Sequence, residues 1–538
     1  MVRNVEIMDT TLRDGEQTSG MSFSSSEKLT IAKLLLEELK VDRIEIASAR
    51  VSDGEFTAVK NIAKWAKEND YLNKIEVLTF LDKGVSINWL SNSGGKVQNL
   101  LTKGSINHLK YQIKKTPKEH FNDVYNSVHD ARELNIDTNV YLEDWSNGMR
   151  NSPDYVFEYL DFLSTLPIKR VLLPDTLGVL SPKETYNYLS VIINKYPNIH
   201  FDFHAHNDYD LSVSNVMESL KAGCHGLHLT INGMGERAGN APMASVAAVV
   251  RDFLPDVKIN LEEKKLYKVS ALISAFTGFK IPANKPIVGE NVFTQTAGIH
   301  ADGDSKNNLY FNDLLPERFG RIREYALGKT SGKANIKKNL DRLGITLNDE
   351  DLKKVTNRVI ELGDKKEKVT AEDLPYIISD VLNTSMQVKR VLINSYILKH
   401  TMGKDPSVYL ELKIDDNIYK KTGVGDGQFD AFMNAVNEIY KDNNLKTPNL
   451  VNYLVTIPKG SNSDALCETI ITWRDPSCEF TTRGLDSDQT VSAIKATEKN
   501  VKYYNKLIFY EIKYSLISRR WNWSRGNRPS SQSFKCNC

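Results

Sequence analysis

Short apolar runs rich in β-branched residues recur along the first half of the chain, with stretches of helical periodicity between them. One helical stretch, residues 24–39, opens with serines followed by Glu27, which is typical of a helix N-terminus. Another covers residues 116–135. Strand and helix alternate in this way over about 250 residues, which predicts a (β/α)8 barrel. The predicted strands are 5–11, 43–48, 75–80, 97–103, 139–144, 170–176, 200–206 and 226–231.

Polar residues at the C-terminal ends of these strands favour the barrel over a doubly wound sheet. No glycine-rich phosphate loop follows the first strand, as a doubly wound nucleotide-binding sheet would require. Barrel enzymes build their active sites on the face where the strands end. The polar residues at or just beyond strand ends are Asp14, Glu143, Asp175, Thr176, His204 and His206.

The pattern changes after residue 280, so we divide the chain into a barrel (1–280) and further regions. Residues 281–387 form a connector rich in Pro, Gly and Asn followed by a small helical subdomain. Residues 388–505 contain two similar rounds of strand, strand and helix, which predict an α+β domain with an internal repeat. The tail, 506–538, holds many basic residues and no helical or strand period, and we expect it to be disordered.

Composition limits the class of protein further. A chain of 538 residues is long enough for several domains, and a net charge of +2 indicates neither a nucleic-acid nor a membrane partner. There is no secretory signal segment and no apolar run of about 18 residues. The five cysteines form no CxxC pair, as expected for reduced thiols. We therefore expect a cytoplasmic protein.

Residues near three strand ends predict a metal site. Arg13 and Asp14 follow the first strand, and a carboxylate there is a good metal ligand beside a guanidinium that can hold a substrate oxygen. His204 and His206 are two positions apart on one strand, so both imidazoles point to one side. Asn240, in the glycine-rich loop after the eighth strand, can offer an amide oxygen. The alternative is that these are hydrogen-bonded strand-end histidines beside an ordinary loop.

Two more polar strand-end residues are open to either a chemical or a structural role. Glu143 can act as a base or activate water, and Thr176 can bind a substrate carboxylate. A strand-end cap or a salt-bridge partner is the equally good alternative for each. We expect a structural role for the histidines that lack such a context, namely His108, His120, His129, His225, His228 and His400.

Three motifs in order carry a family resemblance: MDTTLRDGEQ, the HAHND strand and LTINGMGERAGNAP. The match continues through FTQTAGIHADGD, LGKTSGKANI and SNSDALCETIITW, and covers residues 3–505. The chain resembles the metal-dependent Claisen-condensing barrel enzymes, which include 2-isopropylmalate, homocitrate and citramalate synthases. Stretches such as VDRIEIASARVS and NVYLEDWSNGMRNSPDYV are most similar to the pyruvate-using members.

The resemblance implies roles for the site residues. It implies acetyl-CoA as co-substrate and a divalent cation, Zn, Mn or Mg, held by Asp14, His204, His206 and Asn240. Arg13 would hydrogen-bond the ketone oxygen of a 2-oxo acid, and Thr176 would hold its carboxylate. Glu143 and His300 resemble the residues that the family uses when acetyl-CoA loses a methyl proton, and which of them is the base stays open. The His300 segment would reach into the partner's barrel, which implies a homodimer.

Substrate choice depends on the positions that match the family's 2-oxo-acid pocket, Leu78, Leu101 and Tyr310. These side chains make an apolar pocket that suits the methyl group of pyruvate, which implies (R)-citramalate synthesis for isoleucine. The alternative is 2-isopropylmalate synthesis from 2-oxoisovalerate, since one methylene changes discrimination by only about 1–3 kcal/mol. A hydroxyacyl-CoA lyase and a catalytically silent amino-acid sensor are more remote alternatives. The C-terminal domain resembles a regulatory domain, which implies feedback by isoleucine or leucine.

Overall fold

The computed structural model describes residues 2–304, 306–364, 369–382, 391–445, 447–456, 467–474 and 479–498. The chain divides into two units, residues 1–382 and 383–538. The tail that the sequence predicts to be disordered lies outside the described residues.

The first unit contains a closed barrel of eight parallel strands, as predicted. Strand β1 pairs with β8 on one side and with β2 on the other, which closes the sheet. A short ninth strand, β9 (Val257–Ile259), pairs in parallel with the first three residues of β1. The barrel strands are β1 (Arg3–Asp9), β2 (Arg43–Ser48), β3 (Ile75–Phe80), β4 (Val97–Lys103), β5 (Asp137–Glu143), β6 (Arg170–Asp175), β7 (Phe201–Ala205) and β8 (Gly226–Leu229).

Helices follow the strands and cover the barrel with a continuous apolar core. Several begin at capping boxes, in which a Ser or Thr hydroxyl accepts from the backbone N–H of a Glu three residues on; Ser24 with Glu27 is one. The predicted helix at 24–39 is α-helical to Lys33 and continues as π-helix over Leu34–Glu38. The helices around the barrel are α1 (Ser25–Lys33), α2 (Asp53–Glu68), α3 (Val85–Ser93), α4 (Ile106–His108), α5 (Pro117–Glu133), α6 (Trp145–Asn151), α7 (Pro153–Leu163), α8 (Pro182–Lys195), α9 (Ser212–Ala222), α10 (Met243–Phe253) and α11 (Leu266–Thr277).

The barrel interior is polar towards the N-terminal ends of the strands. Arg43 of β2 donates to Glu6, Glu76 and Asp202, at 2.9, 2.9 and 2.6 Å. Alternate residues of a strand share a face, so Glu45, two positions after Arg43, also points inward. These paired charges fill the barrel below the strand ends and support the residues that the ends carry.

The connector and helical subdomain complete the first unit. Two short strands, β10 (Thr294–Gln295) and β11 (Glu324–Tyr325), pair in parallel beside helix α12 (Gly298–Asp304). The helical part has its own apolar cluster, built around Ile336, Val355 and Leu374. Its helices are α13 (Lys333–Arg342), α14 (Asp349–Asp364) and α15 (Leu374–Val381).

The second unit has two rounds of three strands and a helix, so the predicted strand-strand-helix repeat lacked one strand in each round. The third strands, β14 (Asn417–Val424) and β17 (Glu479–Asp486), carry mostly polar residues, which gave no apolar signal. Each sheet is antiparallel. The other elements are β12 (Val391–Thr401), β13 (Lys404–Ile414), α16 (Gln428–Asp442), β15 (Asn449–Thr456), β16 (Cys467–Arg474) and helical residues 489–498.

Among the described residues, no helix combines the length and apolar character that crossing a bilayer demands. The cytoplasmic location stays a prediction.

Candidate active site

A buried carboxylate and two buried imidazoles meet at the C-terminal end of the barrel. Asp14 follows β1, His204 lies on β7, and His206 lies just beyond it. The Nε2 atoms of His204 and His206 lie 3.4 and 3.9 Å from Asp14 Oδ2. One potential ligand atom from each residue lies within 4.8 Å of the other two. The structure therefore brings together three of the four predicted metal ligands.

The local electrostatics hold these three groups in the forms that bind a cation. Burial lowers the pKa of both His204 and His206, so their imidazoles are neutral near pH 7. Burial opposes ionisation of Asp14, but the Arg13 guanidinium and the hydrogen bond from Asn240 hold its pKa well below the usual range. Two neutral imidazoles and one carboxylate are a donor set that fits a divalent cation with positions left for substrate.

Asn240 contacts the same carboxylate through its amide nitrogen. Its Nδ2 donates to Asp14 Oδ1 at 3.1 Å and to the Met234 carbonyl at 3.0 Å. Its Oδ1 is buried and has no hydrogen-bond partner among the described residues. Gly235 allows this approach, because a Cβ there would lie 2.2 Å from Asn240 Nδ2. Asn240 thus fixes the second oxygen of Asp14, and its role as a ligand stays a prediction.

Arg13 is held in place by three acceptors. Its Nε donates to Glu45 at 2.6 Å, and one terminal nitrogen donates to Asp14 Oδ2 at 2.9 Å. The other terminal nitrogen lies 3.3 Å from the Tyr141 hydroxyl. Glu45 is fully buried and also accepts from Thr10 and Asn99, at 2.7 and 2.8 Å. The guanidinium is therefore fixed beside the candidate metal ligands, where it can donate to a substrate oxygen.

An apolar cluster lies inside the barrel next to these charges. It consists of the buried residues Leu78, Tyr141 and Leu172, with Leu101 and Phe80 packed against them. The ring of Tyr141 stands edge-on to His204 with a centroid distance of 6.3 Å. Leu78 and Leu101, which the sequence analysis assigns to the substrate pocket, therefore lie together beside the candidate metal ligands.

Tyr141 belongs to this cluster and was not among the predicted site residues, whereas the predicted Tyr310 lies outside the cluster. Tyr310 lies in the connector, is 40% exposed and stacks against His300 at a centroid distance of 4.3 Å. His300 also pairs with Gln295 at 3.2 Å. Within one chain these two residues are neighbours of each other and do not belong to the apolar cluster of the barrel. Their roles at the active site stay predictions that depend on a partner subunit.

Glu143 and Thr176 lie at the ends of β5 and β6. Glu143 shares a strand face with Tyr141, two positions earlier, and is ion-paired with Lys103 at the end of β4. The Thr176 hydroxyl accepts from the backbone N–H of Asp144 at 2.9 Å. Both residues are on the predicted face, and both also have the structural partners that the alternative interpretation requires.

Fold and site together define an α/β-barrel protein with a candidate divalent-metal centre at the C-terminal ends of its strands. A family model described as HMGL-like matches residues 4–273. Models for a homocitrate synthase post-HMGL domain and for the LeuA allosteric (dimerisation) domain match residues 287–367 and 368–505. The proposed division at 281, 388 and 506 stays a prediction in its details.

Comparison with curated relatives identifies the group of enzymes to which this barrel protein belongs. An (R)-citramalate synthase from Methanocaldococcus jannaschii is 32% identical over 92% of this chain and 99% of its own. A 2-isopropylmalate synthase from the same organism is 32% identical over 91% of this chain and 93% of its own. A 2-isopropylmalate synthase from Sulfurisphaera tokodaii is 33% identical over 72% of this chain and 98% of its own. The chain belongs to the HMGL-like family, in the group of (R)-citramalate and 2-isopropylmalate synthases, which confirms the predicted family and barrel fold.

Proposed function

We propose that this protein condenses acetyl-CoA with pyruvate to give (R)-citramalate and CoA, in isoleucine biosynthesis. The observation that carries the proposal is the apolar cluster of Leu78, Leu101, Tyr141 and Leu172 beside Arg13 and the metal-binding groups. A 2-oxo acid bound through its ketone and carboxylate oxygens would direct its alkyl group towards this apolar cluster. A methyl group needs little room beside these apolar side chains.

Asp14, His204 and His206 would hold the divalent cation, which supplies polarisation of the ketone when bound. Arg13 donates to the ketone oxygen and stabilises the negative charge that develops on it during attack. Because Glu45 and Tyr141 already fix the guanidinium, this stabilisation needs no reorganisation of the side chain. The Thr176 hydroxyl binds the substrate carboxylate at the end of β6.

The carbon-carbon bond forms after a proton leaves the acetyl methyl group. Glu143 or His300 accepts that proton, the methyl carbon attacks the ketone carbon, and the ketone oxygen gains a proton. Water then cleaves the thioester, which releases CoA and leaves the carboxylate of citramalate. Glu143 is ion-paired with Lys103 at the end of β4.

The second candidate is 2-isopropylmalate synthesis, because relatives of both kinds are equally similar to this chain. Release of CoA is measured with the Mn²⁺-loaded protein, acetyl-CoA and either pyruvate or 2-oxoisovalerate. We expect a higher kcat/KM with pyruvate. A higher value with the branched acid would replace the proposal with the second candidate.

The match to a LeuA allosteric (dimerisation) domain supports a homodimer that is regulated by an amino acid. The second unit has a cavity of about 570 Å³ lined by His400, Asp405, Gln428, Asp430 and Tyr453, among others. Its carboxylates suit an ammonium group. We expect isoleucine or leucine to inhibit CoA release, and Asp430→Asn to weaken inhibition while uninhibited activity is retained. Equal inhibition of both proteins would contradict a role for this cavity.

A further inference from the structure

A series of buried hydrogen bonds crosses the barrel interior from Arg43, near the N-terminal ends of the strands, to Arg13 at their C-terminal ends. Arg43 donates to Asp202 Oδ2 at 2.6 Å, and His228 Nε2 lies 3.1 Å from the same oxygen. His228 Nδ1 lies 2.8 Å from the Tyr141 hydroxyl, which lies 3.3 Å from Arg13. Asp202, His228 and Tyr141 are all buried, so no bulk water competes for these bonds. His228 is one of the histidines for which we expect only a structural role from the sequence.

The two arginines at the ends of this series of hydrogen bonds, Arg43 and Arg13, fix the direction of each bond in it. Guanidinium groups only donate, so the carboxylate of Asp202 accepts from Arg43, and the Tyr141 oxygen accepts from Arg13. A carboxylate paired with an arginine needs a donor from His228, which puts the imidazole proton on Nε2. The bare Nδ1 is then an acceptor, so the Tyr141 hydroxyl donates its proton to His228.

We propose that Asp202 and His228 are positioning residues for the Tyr141 hydroxyl. They direct the hydroxyl proton away from the substrate and leave a lone pair of the hydroxyl oxygen facing Arg13. This inference rests on the proposed function, for which Arg13 is the group that stabilises the ketone oxygen. Two consequences follow. Tyr141 offers the substrate only its apolar ring, and the guanidinium keeps one orientation. A Tyr141 hydroxyl without His228 can rotate, donate into the pocket and release Arg13.

A double-mutant cycle separates this role from simple packing. His228→Leu keeps the volume but removes the acceptor, and we expect kcat to fall about tenfold with a smaller change in the KM of the 2-oxo acid. In the Tyr141→Phe background the same substitution should change kcat less than about twofold, because the hydroxyl on which it acts is absent. Equal losses in both backgrounds would overturn the inference.

Two further variants guard against misfolding. His228→Gln keeps a donor and an acceptor, and we expect it to retain kcat within about threefold of the unmodified protein. His225→Leu changes a half-buried histidine just before the other end of β8, where it accepts from the Phe201 backbone N–H, and should leave kcat unchanged. A loss with His225→Leu as large as that with His228→Leu would also overturn the inference.

A spectroscopic readout keeps this test independent of the substrate. A Tyr hydroxyl that donates to a buried imidazole should give a slowly exchanging downfield proton resonance, present in His225→Leu and absent in both Tyr141→Phe and His228→Leu. In protein labelled with 15N-histidine this resonance should show no one-bond 15N splitting; a split resonance would identify His228 as the donor and contradict the assigned direction. Absence of CoA release with either 2-oxo acid from the unmodified protein contradicts the proposed function instead, and the resonance still decides the hydrogen-bond direction.

Discussion

Shortening Leu78 should shift the enzyme from pyruvate towards 2-oxoisovalerate. Leu78 is 5% exposed and packs in the apolar cluster with Tyr141 and Leu172. The branched acid carries two carbons more than pyruvate, and Leu78→Ala removes three from the wall. Burial of a methylene contributes about 0.8 kcal/mol, so two carbons contribute about 1.6 kcal/mol, or roughly a 15-fold gain in kcat/KM for the branched acid.

The assay is CoA release with each acid, reported as the ratio of the two kcat/KM values. Val77→Ala is the matched control, since Val77 precedes Leu78 on β3, is fully buried and belongs to the core between barrel and helices. It should lower stability without changing the ratio. The reasoning is refuted if the ratio moves less than about threefold in Leu78→Ala, or moves equally in Val77→Ala.

Three further predictions concern the metal, the dimer and pH. Chelation should abolish CoA release and Mn²⁺ should restore it, whereas His206→Ala should neither retain Mn²⁺ in elemental analysis nor regain activity. Mixing inactive Asp14→Asn and His300→Ala proteins after subunit exchange should restore about a quarter of the activity if His300 acts on the partner's barrel, and none if it acts within its own chain. Burial raises the pKa of Asp9 to about 7, so the folded state keeps a proton that the unfolded state has lost above about pH 4. The contribution of Asp9 to stability should fall as pH rises from 4 to 7. In denaturant unfolding, Asp9→Asn should therefore be more stable than the unmodified protein by up to about 4 kcal/mol at pH 8 but not at pH 4. An equal difference at both pH values would contradict this.

The barrel strands were predictable because both of their faces are buried. The bounds of β2, β3 and β4 are the same in the sequence interpretation and in the structure, since each strand is rich in buried apolar residues and lies between polar loops. The third strands of the second unit were missed because their residues are largely polar and lie at a sheet edge. Apolar periodicity does not report such a strand, whose stability comes from its neighbour.

The candidate site was predictable where motif and strand end coincide, as for Asp14, His204 and His206. The residues that fix Arg13 were not predictable, because Glu45 and His228 lie within strands. Glu45 comes next to Arg13, and His228 next to Tyr141, only when the barrel closes. A charged residue inside an otherwise apolar strand was the available signal for Glu45. The available signal for Tyr141 was its position two residues before Glu143, which places both side chains on the same face of the strand.

A competition experiment tests the central claim most directly. The Mn²⁺-loaded protein is given acetyl-CoA with equal concentrations of pyruvate and 2-oxoisovalerate, and the hydroxy diacids formed are identified by mass and configuration. We predict that (R)-citramalate is the main product, because the proposed alkyl pocket beside Arg13 is the apolar cluster that contains Leu78, Leu101 and Tyr141. A product mixture dominated by 2-isopropylmalate, or no new carbon-carbon bond at all, would contradict it.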